Sequence, residues 1–270
     1  MKDLPIRTII AVLLLGLLAL VLYFGGWVQA AVLGVLSSFA VFEMLKMYEK
    51  RGIHPFVVPH MILAFFMFAV LYAWGAVYVA ALAFLAFLAV MIERILNKKR
   101  NNSDLTAAFS IFVYPLSLLL CFGLLGFEND DTSRIALLCC FAGPAMADNT
   151  AYMVGSLIGK HKLCPVISPN KTVEGAVSGL IGGALGGVIV YFVQKLWGID
   201  IPLITLIIIC FIGGAIGQFG DLLASSFNRY ADIKDYGHIF PGHGGIMDRL
   251  DSAMIAAPFV TLVFKLFINK

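Results

Sequence analysis

Carboxylates and cations at helical spacing mark where chemistry can occur in an otherwise oily chain. Asp221, Ser225 and Arg229 fall at i, i+4 and i+8, so a helix ending there shows all three on one face. Asp248 and Asp251 fall at i and i+3, on one face of the first turn of the next helix. These are hard oxygen donors, with no Cys or His at ligand spacing beside them, and they point to Mg2+ or a similar cation. Acids also suit a helix N-terminus, so capping is the competing explanation for one of the last two. Between the two groups runs Pro241-Gly242-His243-Gly244-Gly245, a backbone able to bring amide N–H groups close to a phosphate, with His243 expected in contact with it.

Upstream, Lys160-His161-Lys162 and Ser168-Pro169-Asn170-Lys171-Thr172 form a polar loop, and Glu174 opens the helix after it. That Ser/Thr/Lys mixture suits phosphate contacts at a helix N-terminus. Gly155 to His161 is not a phosphate loop: its glycines stand one residue too close, and His replaces the Ser or Thr that would hold Mg2+. Asp148, followed by Asn149, lies roughly 21 Å beyond Arg134 along a helix. A polar group at that depth should face an interior cavity rather than lipid.

These residues need a scaffold, and composition dictates its class. The 270 residues are 61% hydrophobic and 13% charged, with a mean hydropathy of +0.94. Soluble domains carry about a quarter charged residues. The expected fold is therefore an all-α polytopic integral membrane protein with about nine transmembrane helices and a polar cavity on the cytoplasmic side. The helices are expected over 8–26, 28–46, 54–74, 75–93, 105–127, 134–159, 173–195, 201–227 and 247–268. The first run is read as a retained span rather than a cleaved signal peptide. The five cysteines show no paired spacing and read as small core residues. Gly179, Gly182, Gly183, Gly186 and Gly187, with Gly213, Gly214 and Gly217, give two helices small-residue faces for close packing, and make a homodimer an expectation as well.

Two regions follow: N-terminal transmembrane helices over 1–130, and a catalytic half over 131–270 with loops 160–172 and 228–246. With a cytoplasmic N-terminus, fifteen of the nineteen basic residues fall on the cytoplasmic side, leaving only Arg134, Lys195, Lys265 and Lys270 opposite. That asymmetry predicts that both polar loops face the cytoplasm, where nucleotides are.

The run Ser225…Arg229…Lys234-Asp235…Gly237…Pro241-Gly242-His243-Gly244-Gly245…Asp248-Arg249…Asp251 resembles the signature of the phosphatidate cytidylyltransferases. Ala147-Asp148…Ala151-Tyr152…Gly155…Gly159-Lys160 and Ser168-Pro169-Asn170-Lys171-Thr172…Glu174-Gly175 resemble the same family. The similarity covers roughly 140–256; residues 1–130 match mainly in hydropathy. One departure is Asn228, where the family usually has Lys.

The resemblance implies a cell inner-membrane enzyme of phospholipid biosynthesis, with its active site toward the cytoplasm. It would convert CTP and phosphatidate to CDP-diacylglycerol and pyrophosphate, using one or two Mg2+ ions. Asp221, Asp248 and Asp251 are then metal ligands, with Asp148 completing that shell or orienting the nucleotide. Lys171, Lys234, Arg229 and Arg249 stabilise phosphate charge, while Ser225 and His243 position phosphoryl oxygens. Asp235 belongs to the same catalytic run, and Asn149, Lys160, Ser168, Thr172, Gly244 and Gly245 line the substrates. The partners are CTP, phosphatidate and membrane lipid, with no nucleic acid. The rivals are a CTP-dependent lipid kinase, a cytidylyltransferase for another lipid phosphate, and, from another class, a secondary transporter with the acids as ion sites. Transport predicts internal repeats, and none is visible.

Overall fold

A computed structural model describes residues 4–127, 131–237, 239 and 244–268. The helices are α1 (Leu4–Phe24), α2 (Gly26–Lys50), α3 (Val57–Trp74), α4 (Ala76–Leu96), α5 (Asn102–Ile111), α6 (Leu118–Gly126), α7 (Asp131–Ile158), α8 (Val173–Gln194), α9 (Leu203–Tyr230) and α10 (Met247–Val263). Between α5 and α6 the chain kinks at Tyr114 (φ −135, ψ 109), just before Pro115, while a wider helical turn, Phe264–Ile268, extends α10. Each apolar run expected to be helical is helical within several residues at its ends, the run 105–127 being broken by the kink at Tyr114.

Seven stretches among the described residues are long and apolar enough to cross a membrane: Gly26–Lys50, Val57–Trp74, Ala76–Leu96, Asn102–Gly126, Val173–Trp197, Leu203–Tyr230 and Met247–Ile268. Val12–Phe24 is a shorter apolar helix. The expected count was nine; α7, though 28 residues long, is not among the seven, because Arg134, Asp148, Asn149 and Thr150 dilute its apolar character. Large apolar side chains such as Val77, Leu85, Ile95, Leu96 and Phe192 stand exposed on helix flanks. Lipid is the solvent that suits so much apolar surface, and the chain is an integral membrane protein.

The chain divides into two compact units, one of Met1–Phe127 with Tyr230–Arg249 and one of Glu128–Arg229 with Leu250–Lys270. In the first, α2 packs along α3, and α3 along α4. Gly75, at φ 93, takes a backbone conformation disfavoured for side chains and turns the chain from α3 into α4. Asn101 and Asp104 form a reciprocal capping box at the start of α5. The buried imidazole of His60 bridges the carbonyls of Phe56 (2.6 Å) and Ala108 (3.0 Å).

In the second unit α7 packs extensively along α8, and glycine makes that possible. A Cβ at Gly186 would stand 2.7 Å from the Ala142 carbonyl on α7; one at Gly187 would stand 2.6 Å from Ile207 Cα on α9. The backbone of α8 thus touches both neighbours, so its glycine faces serve packing within the chain. The segment expected as a plain loop is a hairpin, β1 (Lys162–Cys164) antiparallel to β2 (Ser168–Thr172), with Lys162 opposite Thr172 and Cys164 opposite Ser168.

Candidate functional site

The hairpin delivers Lys171 to α9. Its Nζ lies 2.5 Å from Asp221 Oδ2, with both side chains about three-tenths exposed. One turn further along α9, the Ser225 hydroxyl donates to Asp221 Oδ1 at 3.4 Å, as the i, i+4 spacing requires. Another turn on, Arg229 Nε donates to the carbonyl of Ile167 in the hairpin turn at 3.1 Å. One face of α9 and one hairpin therefore bring together Lys171, Asp221, Ser225 and Arg229.

The hairpin is fixed at its base. Thr172 is buried, caps α8 and accepts from the Gly175 N–H at 3.1 Å. A Cβ at Gly155 would come within 2.8 Å of Thr172 Oγ1, so α7 meets this cap closely. Glu174 accepts from the backbone N–H of Lys160 (3.1 Å) and of His161, and pairs with His161 Nδ1 at 2.6 Å. The Lys160 side chain is exposed, and Ser168 opens β2. Thr172 thus acts first as a helix cap, and Lys160 enters the local network through its backbone.

Deeper in the same unit, Asp148 Oδ2 accepts from the Ser252 hydroxyl at 3.0 Å, which ties α7 to α10. Asn149 is exposed and donates to the Ala145 carbonyl one turn back at 2.9 Å. Asp251 Oδ1 accepts from the Ser252 N–H at 2.6 Å.

The first unit holds the other candidates. Asp248 Oδ2 accepts from the N–H groups of Gly245 (2.8 Å) and Tyr236 (2.9 Å). That is the capping arrangement weighed against metal binding for this residue. The Gly245 amide, expected at a phosphate, is engaged by Asp248. Gly244 takes φ 79, and a Cβ there would lie 2.6 Å from Asp248 Oδ2. Lys234 and Arg249 are exposed and Asp235 is half-buried. His243 lies outside the described residues.

Sequence reasoning missed one residue here. Glu43 of α2 is 3% exposed; its two oxygens accept from the N–H groups of Ile246 (3.0 Å) and Met247 (2.8 Å). The signal was present: Glu43 stands three residues from Ala40 and four from Met47, on the fully buried stripe of α2. An acid on the apolar stripe of a membrane helix demands a partner.

The carboxylates Asp221, Asp148 and Asp251, like Asp248, offer only hard oxygen donors, which suits a magnesium ion. Among the described residues no three His, Cys, Asp or Glu side chains gather as a metal-binding group. The donor chemistry fits the cation, and no group of described carboxylates closes a shell around it.

The chain matches the cytidylyltransferase family over residues 5–267. It is 33% identical to the phosphatidate cytidylyltransferase of Staphylococcus aureus (strain COL) over 267 residues, 96% of this chain and 98% of that one. It is 47% identical over 119 residues to the phosphatidate cytidylyltransferase of Staphylococcus saprophyticus (strain ATCC 15305), a stretch covering 44% of each chain. The same-named protein of Bacillus subtilis (strain 168) is 45% identical over 120 residues, again 44% of each. A near-full-length match joined to a cation–carboxylate cluster on a membrane helix leads to one conclusion: the chain belongs to the cytidylyltransferase family.

Proposed function

We propose that this chain transfers the cytidylyl group of CTP to phosphatidate, forming CDP-diacylglycerol and pyrophosphate in phospholipid biosynthesis. A phosphate oxygen of phosphatidate bonds to the α-phosphorus of CTP. The bond from that phosphorus to the oxygen bridging to the β-phosphate breaks, and pyrophosphate leaves with the electron pair. The attacking oxygen is already anionic, so no side chain must remove a proton. The protein's task is to align the two phosphates and offset charge on the leaving group.

The observation that carries this reading is the Lys171–Asp221 ion pair, with Ser225 and Arg229 on the same face of α9. Asp221 holds the Lys171 ammonium in one place and the Ile167 carbonyl holds the Arg229 guanidinium, so both cations are oriented before a phosphate arrives. Ser225 supplies a hydroxyl for a phosphoryl oxygen. The exposed cations Lys234 and Arg249 are assigned to phosphate charge as well, and the cytoplasm to the side from which CTP enters. Magnesium is the proposed cation, with Asp148, Asp221 and Asp251 of the second unit as the carboxylates that would offer it oxygen; bound there, it would offset nucleotide phosphate charge. The glycine faces of α8 are filled by α7 and α9, so a homodimer would be built on other surfaces.

The test uses purified chain in detergent with labelled CTP and phosphatidate, with and without Mg2+. CDP-lipid and pyrophosphate are expected, only with the cation. Phosphorylated lipid and CDP would mark a lipid kinase instead, and absence of both products would overturn the reading.

A further inference from the structure

We propose that Glu43 is the positioning residue for Gly237 and for Gly245–Met247, and through them for Lys234, Asp235, Asp248 and Arg249, in the cytidylyl transfer on whose assignment this inference rests. The first amides of a helix lack intrahelical acceptors, and a carboxylate is favoured there by the helix dipole. Glu43 meets that need from 203 residues away: one oxygen takes the Ile246 N–H and the other the Met247 N–H. Asp248 takes the Gly245 and Tyr236 N–H groups. Two carboxylates therefore hold three consecutive amides, 245 to 247, and draw Tyr236 in as well.

Steric contact tells the same story independently of hydrogen bonding. A Cβ at Gly245, or at Gly237, would run into the Glu43 carboxylate. Gly237 and Gly245 thus both close on one side chain, and glycine is required at each by that approach. The end of α2 adds a second hold on the stretch leading in: Arg51 pairs with Asp232 at 2.9 Å, its guanidinium 4.8 Å from the Tyr230 ring. Asp232 sits at φ 53, a conformation that few side chains adopt unaided. A buried carboxylate is costly unless its oxygens are fully engaged. An apolar side chain would fill the same volume without that penalty, whereas a carboxylate also fixes backbone direction.

Glu43→Gln separates this role from packing. Its amide keeps the shape but turns an N–H toward a backbone N–H. In the full-length protein in detergent, amide exchange at residues 244–248 should speed up at least about tenfold while α3, α4 and α8 keep wild-type protection. With CTP and phosphatidate, kcat should fall about tenfold or more, KM staying within about twofold, and Glu43→Asp should restore part of it. Wild-type exchange and kcat in Glu43→Gln would overturn the proposal. Exchange needs no turnover, so an inactive wild type would remove the assigned reaction and leave this test standing. If Glu43→Gln is not recovered folded, Gly245→Ala tests the contact from the other side. It should speed amide exchange at residues 246–248 in the wild type and add nothing to exchange in Glu43→Ala, where space opens for the added methyl; equal added effects in both backgrounds would refute the coupling.

Discussion

Lys171 and Asp221 divide stability from chemistry. A partly exposed ion pair contributes only about 0–1 kcal/mol to folding. A charge-assisted hydrogen bond to phosphate is worth about 1.5–3 kcal/mol, on the order of ten- to a hundredfold in rate. Lys171→Ala should therefore leave the melting temperature nearly unchanged while kcat/KM falls by about that factor. Asp221→Asn, which loosens Lys171 and removes a candidate magnesium ligand, should lose more activity at low Mg2+ than at high Mg2+. Full activity of Asp221→Asn in low Mg2+ would remove this carboxylate from the metal proposal. Asn228 makes the opposite case. The family usually has Lys there, but here the side chain is 4% exposed near the end of α9. Asn228→Lys would have to bury an ammonium or bend it out to water, so it should lower thermal stability and activity together. A variant as stable as wild type, with raised activity, would show that position 228 still accepts the family's cation.

At the scale of elements, the site depends on how the start of α8 is held. Thr172→Ala removes the cap on Gly175 and leaves a small void between Gly155 and Gly175, which a cost of about 1 kcal/mol describes. Gly187→Leu drives a side chain into the backbone of α9 at Ile207 and should prevent correct packing of the second unit. Thermal melts in detergent should show a shift of a few degrees for the first and loss of the cooperative transition for the second. The helices themselves are legible from hydropathy, because a bilayer demands about 20 apolar residues per span and punishes any other backbone. The spacing of Asp221, Ser225 and Arg229 is legible too, since helical geometry converts it directly into a shared face. The Lys171–Asp221 pair is not, because a short hairpin of mixed composition carries no period to announce it. Glu43 escapes notice because Lys46, Glu49 and Lys50 follow it, so it reads as part of a polar helix end. Only a contact across 203 residues shows where its oxygens go. Asp248 was legible in type but ambiguous in role, as acids serve both helix caps and cations.

For the whole molecule, the decisive question is which side of the membrane Lys171 faces. Helix α8 has 22 residues, about 33 Å at 1.5 Å per residue, close to the thickness of a bilayer's hydrocarbon core. If α8 spans, Lys162 before it and Asp200 after it fall at opposite membrane faces. Both are exposed, Asp200 with 81% of its side chain accessible. The excess of basic residues on the Lys162 side predicts that this end is cytoplasmic. With the five native cysteines replaced by alanine, Lys162→Cys should react with an impermeant thiol reagent only in inside-out vesicles, and Asp200→Cys only in right-side-out ones. The reverse pattern would place Lys171 and the hairpin on the side that lacks CTP, and the proposed reaction could not take place there. Labelling of both positions from one face would mean that α8 does not span at all, despite its length and apolar flanks.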